Sequence, residues 1–342
     1  MEFLKINGGH GEGGGQIVRS AIALSCITKK PIHLENIRKN RKVPGLRPQH
    51  LTAIKILQKI ANAEIFGAKV GSTDLKFIPG KIESLKLVED VGTAGSISLI
   101  LQVLIPVVAI SQKTLDLTIK GGTNVSWSPS IDYTNQVLRE AYSRMGIDCS
   151  IQINKRGYYP KGSGEVRLLV YPSKVKSVSL LERKTKMVNL ICSFSKLPLE
   201  TIEKQIKEIK QRIVEENFIV KTEIKNEEAL DSGSSLLIWS IENSSIIGVD
   251  SLFNKRTQKF DFDFNKFMKN NLAGVDDNLA DMLVVPASLG KRKTIFQVNR
   301  ITKHLETNLF VTSKITGCKY GVGKTTNGFK VIIEGISDSC IK

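Results

Sequence analysis

Between residues 8 and 20 the chain reads GGHGEGGGQIVRS, with six glycines and one carboxylate in its first eight positions, followed at once by an apolar run. Glycine lets backbone N–H groups approach an anion with no Cβ in the way, and the first turn of a following helix adds unpaired donors. A carboxylate, Glu12, among anion-cradling amides makes chemical sense with a divalent cation between it and a phosphate. Arg19, one to two turns into the helix, is placed to reach that phosphate itself. The same stretch fits the G-x-G-x-x-G template at residues 9–14, after a short strand at 3–6 and with Glu35 where a ribose-binding acid would stand. A nicotinamide dinucleotide and a purely structural turn are therefore the competing readings of these residues taken alone.

A second chemical stretch follows. Arg38, Lys39, Arg41, Lys42 and Arg47 fall within ten residues, interleaved with Pro44, Gly45 and Pro48, which keep the segment out of a helix and present its cations separately. With 50 basic against 33 acidic residues and a net charge of +17, this placement points to an anionic polymer; a solvated basic loop is the plainer alternative. Of the four histidines, His33 alternates with Ile32 and Leu34 in a strand and reads as structural, and His10 sits in the glycine turn. His304 stands in ITKHLETNLF with Thr302 as a cap. The positive end of a helix favours an uncharged imidazole, which is a nitrogen nucleophile at neutral pH; a capping-region histidine is the structural alternative. Five scattered cysteines with no C-x-x-C pair argue against zinc and a disulfide scaffold and suit a reducing cytoplasm. The most apolar run, 97–110, is interrupted by Gln102 and Pro106, so no membrane span is expected, and the amino terminus lacks signal-peptide features.

The elements that must position these groups repeat. The first copy reads as glycine turn, helix 17–27, strand 31–35, basic loop, helix 49–61 and strands near 64–71 and 75–77. The second, from Val91, reads as helix 97–110, strand 114–119, helix 133–145 and strands 150–155 and 164–171. The third, from Gly274, reads as helix 279–288, strand 294–298, helix 305–315 and strands 319–321 and 328–334, within a shorter period. Residues 173–271 differ, with an amphipathic helix at 199–214 among four strand-like runs and no histidine. The expected class is α/β (α+β). Residues 1–175 and 272–342 form a discontinuous catalytic domain of three repeated α/β units, and 176–271 form a small inserted α/β domain.

Five segments in this order, GEGGGQIVRS (11–20), RKVPGLRPQHLTA (41–53), RGYYPKGSGEV (156–166), NLADMLVVPASLG (278–290) and HLETN (304–308), resemble the RNA 3′-terminal phosphate cyclase family across essentially the whole chain. The resemblance displaces the dinucleotide reading. It implies a cytoplasmic ligase-class enzyme that forms AMP and pyrophosphate. His304 would attack the α-phosphorus of ATP to give histidine–AMP, the AMP would pass to an RNA 3′-phosphate end, and the neighbouring 2′-hydroxyl would displace it to leave a 2′,3′-cyclic phosphate. By the same resemblance Glu12 holds a divalent metal, Mg or Mn, and Arg19, Arg41, Gln49 and His50 hold the RNA phosphate. Gln102, Pro129, Asn278, Asp281 and Met282 belong to the nucleotide site, Asp281 as an essential acid near the nucleophile. Asn278 and Met282 stand where relatives usually carry tyrosine and glutamine, and Ser163 interrupts a usual triple glycine. This division of labour predicts that Arg41→Ala spares self-adenylation and weakens RNA end modification.

Two rival classes remain at this level. A non-catalytic homologue of the same fold serves in ribosome assembly but lacks the histidine. An enolpyruvyl transferase, also built of repeated α/β units, would leave His304 and the basic loop unexplained. A homo-oligomer is compatible with the sequence.

Overall fold

The computed structural model describes residues 2–336; the carboxy-terminal end of the 272–342 segment, with Cys340, lies outside the described residues. The first unit runs β1 (Leu4–Asn7), α1 (Gly15–Thr28), β2 (Ile32–Glu35), α2 (Pro48–Ala61), β3 (Glu64–Phe66) and β4 (Leu75–Ile78). The second begins with β5 (Leu85–Asp90), α3 (Ile97–Ile110) and β6 (Leu115–Gly121). It continues through α4 (Ile131–Tyr133), a π-helical turn (Thr134–Leu138) and α5 (Arg139–Arg144) to β7 (Cys149–Lys155) and β8 (Gly164–Val170). A third opens with β9 (Ser179–Leu180). Then come β10 (Met187–Ser195), α6 (Leu199–Glu215), β11 (Ile219–Asn226), β12 (Gly233–Glu242), β13 (Ser245–Asn254), β14 (Lys259–Phe260) and α7 (Phe264–Asn270). The third unit resumes with α8 (Asp277–Ala287), β15 (Lys293–Val298), α9 (Lys303–Thr316), β16 (Lys319–Thr325) and β17 (Gly328–Glu334).

The three four-stranded sheets have one topology: β1-β2-β4-β3, β5-β6-β8-β7 and β9-β15-β17-β16. In each the first pair is parallel and the other two antiparallel. The repeating unit is therefore βαβαββ, one leading strand longer than the periodicity suggests. In the third unit that strand is two residues long and pairs with Ile295 and Phe296 across the intervening segment, which is why the third period reads as shortened. The segment between β9 and α8 carries a five-stranded sheet, β11-β10-β12-β13-β14. One of its faces packs on α6 and on Phe218, Phe253, Phe260 and Phe267. Ile191, Leu237 and Ile246 enter the core shared by the three repeats. At this junction buried Arg156 holds both oxygens of Asp132 (2.7 and 2.9 Å) and reaches Glu227 of β11's following turn at 2.7 Å.

Why the core helices look apolar all round is plain from their surroundings. α1 packs against α2, α3 and α9, and every residue after its first is buried except Arg19; α3 is buried throughout except for Gln102. A helix surrounded by protein has no solvated face to make polar. Arg19 and Gln102, the polar side chains left partly exposed in these helices, line the same cavity. Among the described residues no helix is long and apolar enough to cross a membrane, and Cys26, Cys149, Cys192 and Cys318 are buried and unpaired.

Candidate active site

Thr302 caps α9, its Oγ accepting the Leu305 N–H at 3.1 Å, and this fixes His304 in the first turn with its ring about half exposed. The ring points at the start of α1, where Gln16 is buried. The Gln16 amide nitrogen donates to Asp281 Oδ1 on α8, so its oxygen is turned to His304 Nδ1, 2.5 Å away. A carbonyl oxygen only accepts, so Nδ1 carries the proton and Nε2 is the nitrogen whose lone pair can be freed. Asn308 Nδ2 donates to the Asp281 carbonyl at 2.8 Å, and Ser20 Oγ donates to Asn308 Oδ1 at 2.6 Å. These bonds stitch α1, α8 and α9 together behind the imidazole. Burial pushes the Asp281 carboxyl above its ordinary range, opposed by His304, Gln16 and Arg19.

Nε2 lies 2.8 Å from Glu12 Oε1, and the same oxygen accepts from Arg41 Nη2 at 2.5 Å. The glycines make room for this meeting. A Cβ at Gly14 would fall 2.6 Å from Glu12 Oε1 and 3.1 Å from Arg41 Nη2, and one at Gly15 would fall 2.1 Å from His50 Nε2. Close approach of side chains is thus a reason for glycine at these two positions, beside any role for their amides. Gly11 and Gly13 turn the chain with φ of +58° and +60°. His10 stacks on Phe310 of α9, ring centroids 4.0 Å apart, which ties the turn to the helix that carries His304.

Cations gather beside this pair. Burial, together with Arg38 and against the pull of Asp281, brings the Arg19 guanidinium down to about 10, and its Nε has no protein partner. His50 is brought down to about 3 by burial and by Arg19, Arg38 and Arg47. Its Nδ1 accepts the Arg47 N–H at 3.1 Å, so the neutral ring keeps a donor at Nε2. Gln49 is committed by its oxygen to the Ser96 N–H at 3.2 Å, where α3 begins.

A cavity of about 520 Å³ opens between α1, α3, α8 and the start of α9, within the range of small-molecule sites. Eight of the residues singled out in the sequence line it: Glu12, Arg19, Gln102, Pro129, Asn278, Asp281, Met282 and His304. Arg41, Gln49 and His50 do not; Arg41 reaches the cavity through Glu12, His50 lies against Gly15, and Gln49 sits at the Ser96 cap. The structure adds Gln16 behind the imidazole, Trp127 and Lys266 in the lining, and Arg300 paired with Asp277 at 2.7 Å. Gln16 lies within the glycine-rich motif and was open to inspection there, whereas nothing local marks Lys266.

Glu12 as a lone carboxylate suits a magnesium-type ion that draws its remaining ligands from water and phosphate oxygens. Among the described residues the one trio of histidine and carboxylate groups close enough to share an ion is His33, Glu35 and Asp74 on the first sheet, outside the cavity. There His33 Nε2 meets Asp74 at 2.7 Å, the structural role its alternation suggests.

Residues 10–322 match the family model described as RNA 3′-terminal phosphate cyclase. Proteins of that name resemble the chain over nearly its full length. The one from Archaeoglobus fulgidus is 35% identical, with 92% of this chain and 96% of that protein aligned. That from Methanosarcina barkeri is 36% identical over 97% and 100%, and that from Pyrococcus furiosus 38% over 93% and 96%. With the glycine turn, the helix-start histidine and the cavity between them falling inside the matched span, the chain belongs to the RNA 3′-terminal phosphate cyclase family.

Proposed function

We propose that this chain is an ATP-dependent RNA 3′-phosphate cyclase in which His304 carries AMP. One observation carries the reading: an imidazole whose Nδ1 is held by a buried glutamine–aspartate pair presents Nε2 to Glu12 at the wall of a cavity also lined by Arg19. In the first step Nε2 gives up to solvent the proton it shares with Glu12, its lone pair attacks the α-phosphorus, a P–N bond forms, and the bond to the bridging oxygen breaks to release pyrophosphate. An RNA 3′-phosphate oxygen then takes the AMP, and the P–N bond returns its electrons to Nε2. Finally the 2′-hydroxyl oxygen closes on the 3′-phosphorus, loses its proton and expels AMP. Each step is displacement at phosphorus, in which positioning and cations dominate.

Arg19 and the neutral donor of His50 favour a phosphate on the α1 side of the imidazole, and Arg41 orients Glu12. Glu12 would hold the Mg or Mn ion, which when bound neutralises charge on phosphate oxygens. Asp281 acts through Gln16 and also lines the cavity. Gln102, Pro129, Asn278 and Met282 would border the nucleoside. The catalytic unit proposed is 1–175 with 272–342, to which β9 (Ser179–Leu180) adds the third sheet's leading strand, and the rest of 176–271 is its insert, in a reducing cytoplasmic setting suited to its unpaired cysteines. Incubation with ATP labelled at the α-phosphate and Mg²⁺ or Mn²⁺ is expected to give an acid-labile, alkali-stable protein adduct that disappears in His304→Ala. A wild-type protein that takes up no label refutes the reading and favours the non-catalytic branch of the fold.

A further inference from the structure

Trp127 has no part in the reaction as described, yet its placement is unusual. The residue is 99% exposed, the highest value among the exposed large hydrophobic residues described. Its φ of +66° lies in the left-handed region that bulky L residues avoid. Strain of this kind persists only where the surroundings over-determine it, and it concentrates at ligand sites. The loop 122–130 is pinned on both sides of the indole. The Asn124 N–H donates to Gly157 O at 3.1 Å and Ser128 Oγ to Val125 O at 3.0 Å; the Ser130 N–H donates to Asp250 Oδ2 at 2.6 Å. The ring is therefore held out in solvent while its loop stays fixed.

Where it is held matters. Trp127 lines the cavity that contains His304, two residues before Pro129, and apart from the imidazole itself no other aromatic side chain is in that lining. The charged end of the cavity, with Glu12, Arg19 and His304, is the end for phosphates. The apolar lining residues Leu99, Pro129 and Met282 are left for a base, and Trp127, two residues from Pro129, adds an indole face to the same lining. We propose that Trp127 stacks on the purine of ATP and makes the site prefer a triphosphate that carries a nucleobase. This rests on the reading of the cavity as the ATP site.

The test is adenylation kinetics with ATP and with ribose 5′-triphosphate, which keeps the phosphates and lacks the base. Stacking of a base on an aromatic ring is strong enough for Trp127→Ala to raise the KM for ATP about tenfold. kcat should stay near wild type, the KM for ribose triphosphate should not change, and Trp127→Phe should restore most of the affinity for ATP. The chain has two tryptophans, so in Trp239→Phe the emission of Trp127 alone should be quenched by ATP. Unchanged KM for ATP in Trp127→Ala, with wild-type protein still labelled, overturns the stacking assignment alone. So does a rise confined to the KM for RNA 3′-phosphate, which would place an RNA base on the indole. Wild-type protein that takes no label removes the underlying ATP reading instead.

Discussion

Gln16→Leu tests the orientation of the imidazole most directly. Leucine keeps nearly the volume of glutamine and removes both bonds of the amide, to His304 Nδ1 at 2.5 Å and to Asp281. Without the carbonyl, nothing in that position holds the proton on Nδ1, and the ring can turn or change tautomer. A hydrogen bond to a charged or charging group contributes about 1.5–3 kcal/mol. At about 1.4 kcal/mol per tenfold, single-turnover adenylation at saturating ATP should fall roughly 10- to 150-fold. Gln16 is absent from the cavity lining, so the KM for ATP should change little. Asp281 loses a donor, at about 1–3 kcal/mol of folding stability, which a domain of ordinary stability survives. The assay is label transfer from the α-phosphate, paired with a urea melt to confirm the fold. A Gln16→Leu protein that is folded and adenylates within threefold of wild type would refute the argument that this amide sets the nucleophile.

Arg41→Ala should not spare self-adenylation as the sequence alone suggests, because Arg41 and His304 share one oxygen of Glu12. A partly exposed tether of about 1 kcal/mol predicts a fall of several-fold in the histidine step and a larger fall in RNA end modification; an unchanged first step would contradict the shared contact. His50 is brought down to about 3 in the fold and takes up a proton near 6.5 when unfolded. Its contribution is intact above about pH 6.5 and lost as pH falls from there towards 3, by up to about 1.4 kcal/mol per unit. Urea midpoints between pH 7 and 4 should fall less steeply in His50→Gln, and parallel slopes would exclude this origin. Arg156→Leu strands the Asp132 carboxylate at the junction with the five-stranded sheet, a loss of about 3–5 kcal/mol that Asp132→Leu in the same chain should largely restore. If denaturant unfolding finds the single variant near wild type, the pair is not the fastening that its burial implies.

Much of the site was legible because its signals are local. Arg19 and Gln102 interrupt helices that are otherwise wholly buried, Thr302 stands where a cap belongs, and six glycines in eight residues mark a close approach. The repeat was legible through its helices, and so was the leading strand of the first unit; those of the other two were not: β9 is two residues long, and the alternation of β5 is half buried and carries little contrast. Local patterns record how one stretch meets water or its immediate neighbours, and so the sequence by itself determined the repeated α/β class and the cationic loop, while His304 was singled out by its place at a helix start together with the family resemblance. What the tertiary structure decided is which groups share an atom. The Gln16 bonds span 288 and 265 residues, the sharing of Glu12 by Arg41 and His304 depends on Gly14 being bare, and Lys266 reaches the cavity from α7. Such contacts come from the docking of α1 against α9 and α8. Their geometry is set by packing between distant helices, which no periodicity within either helix encodes.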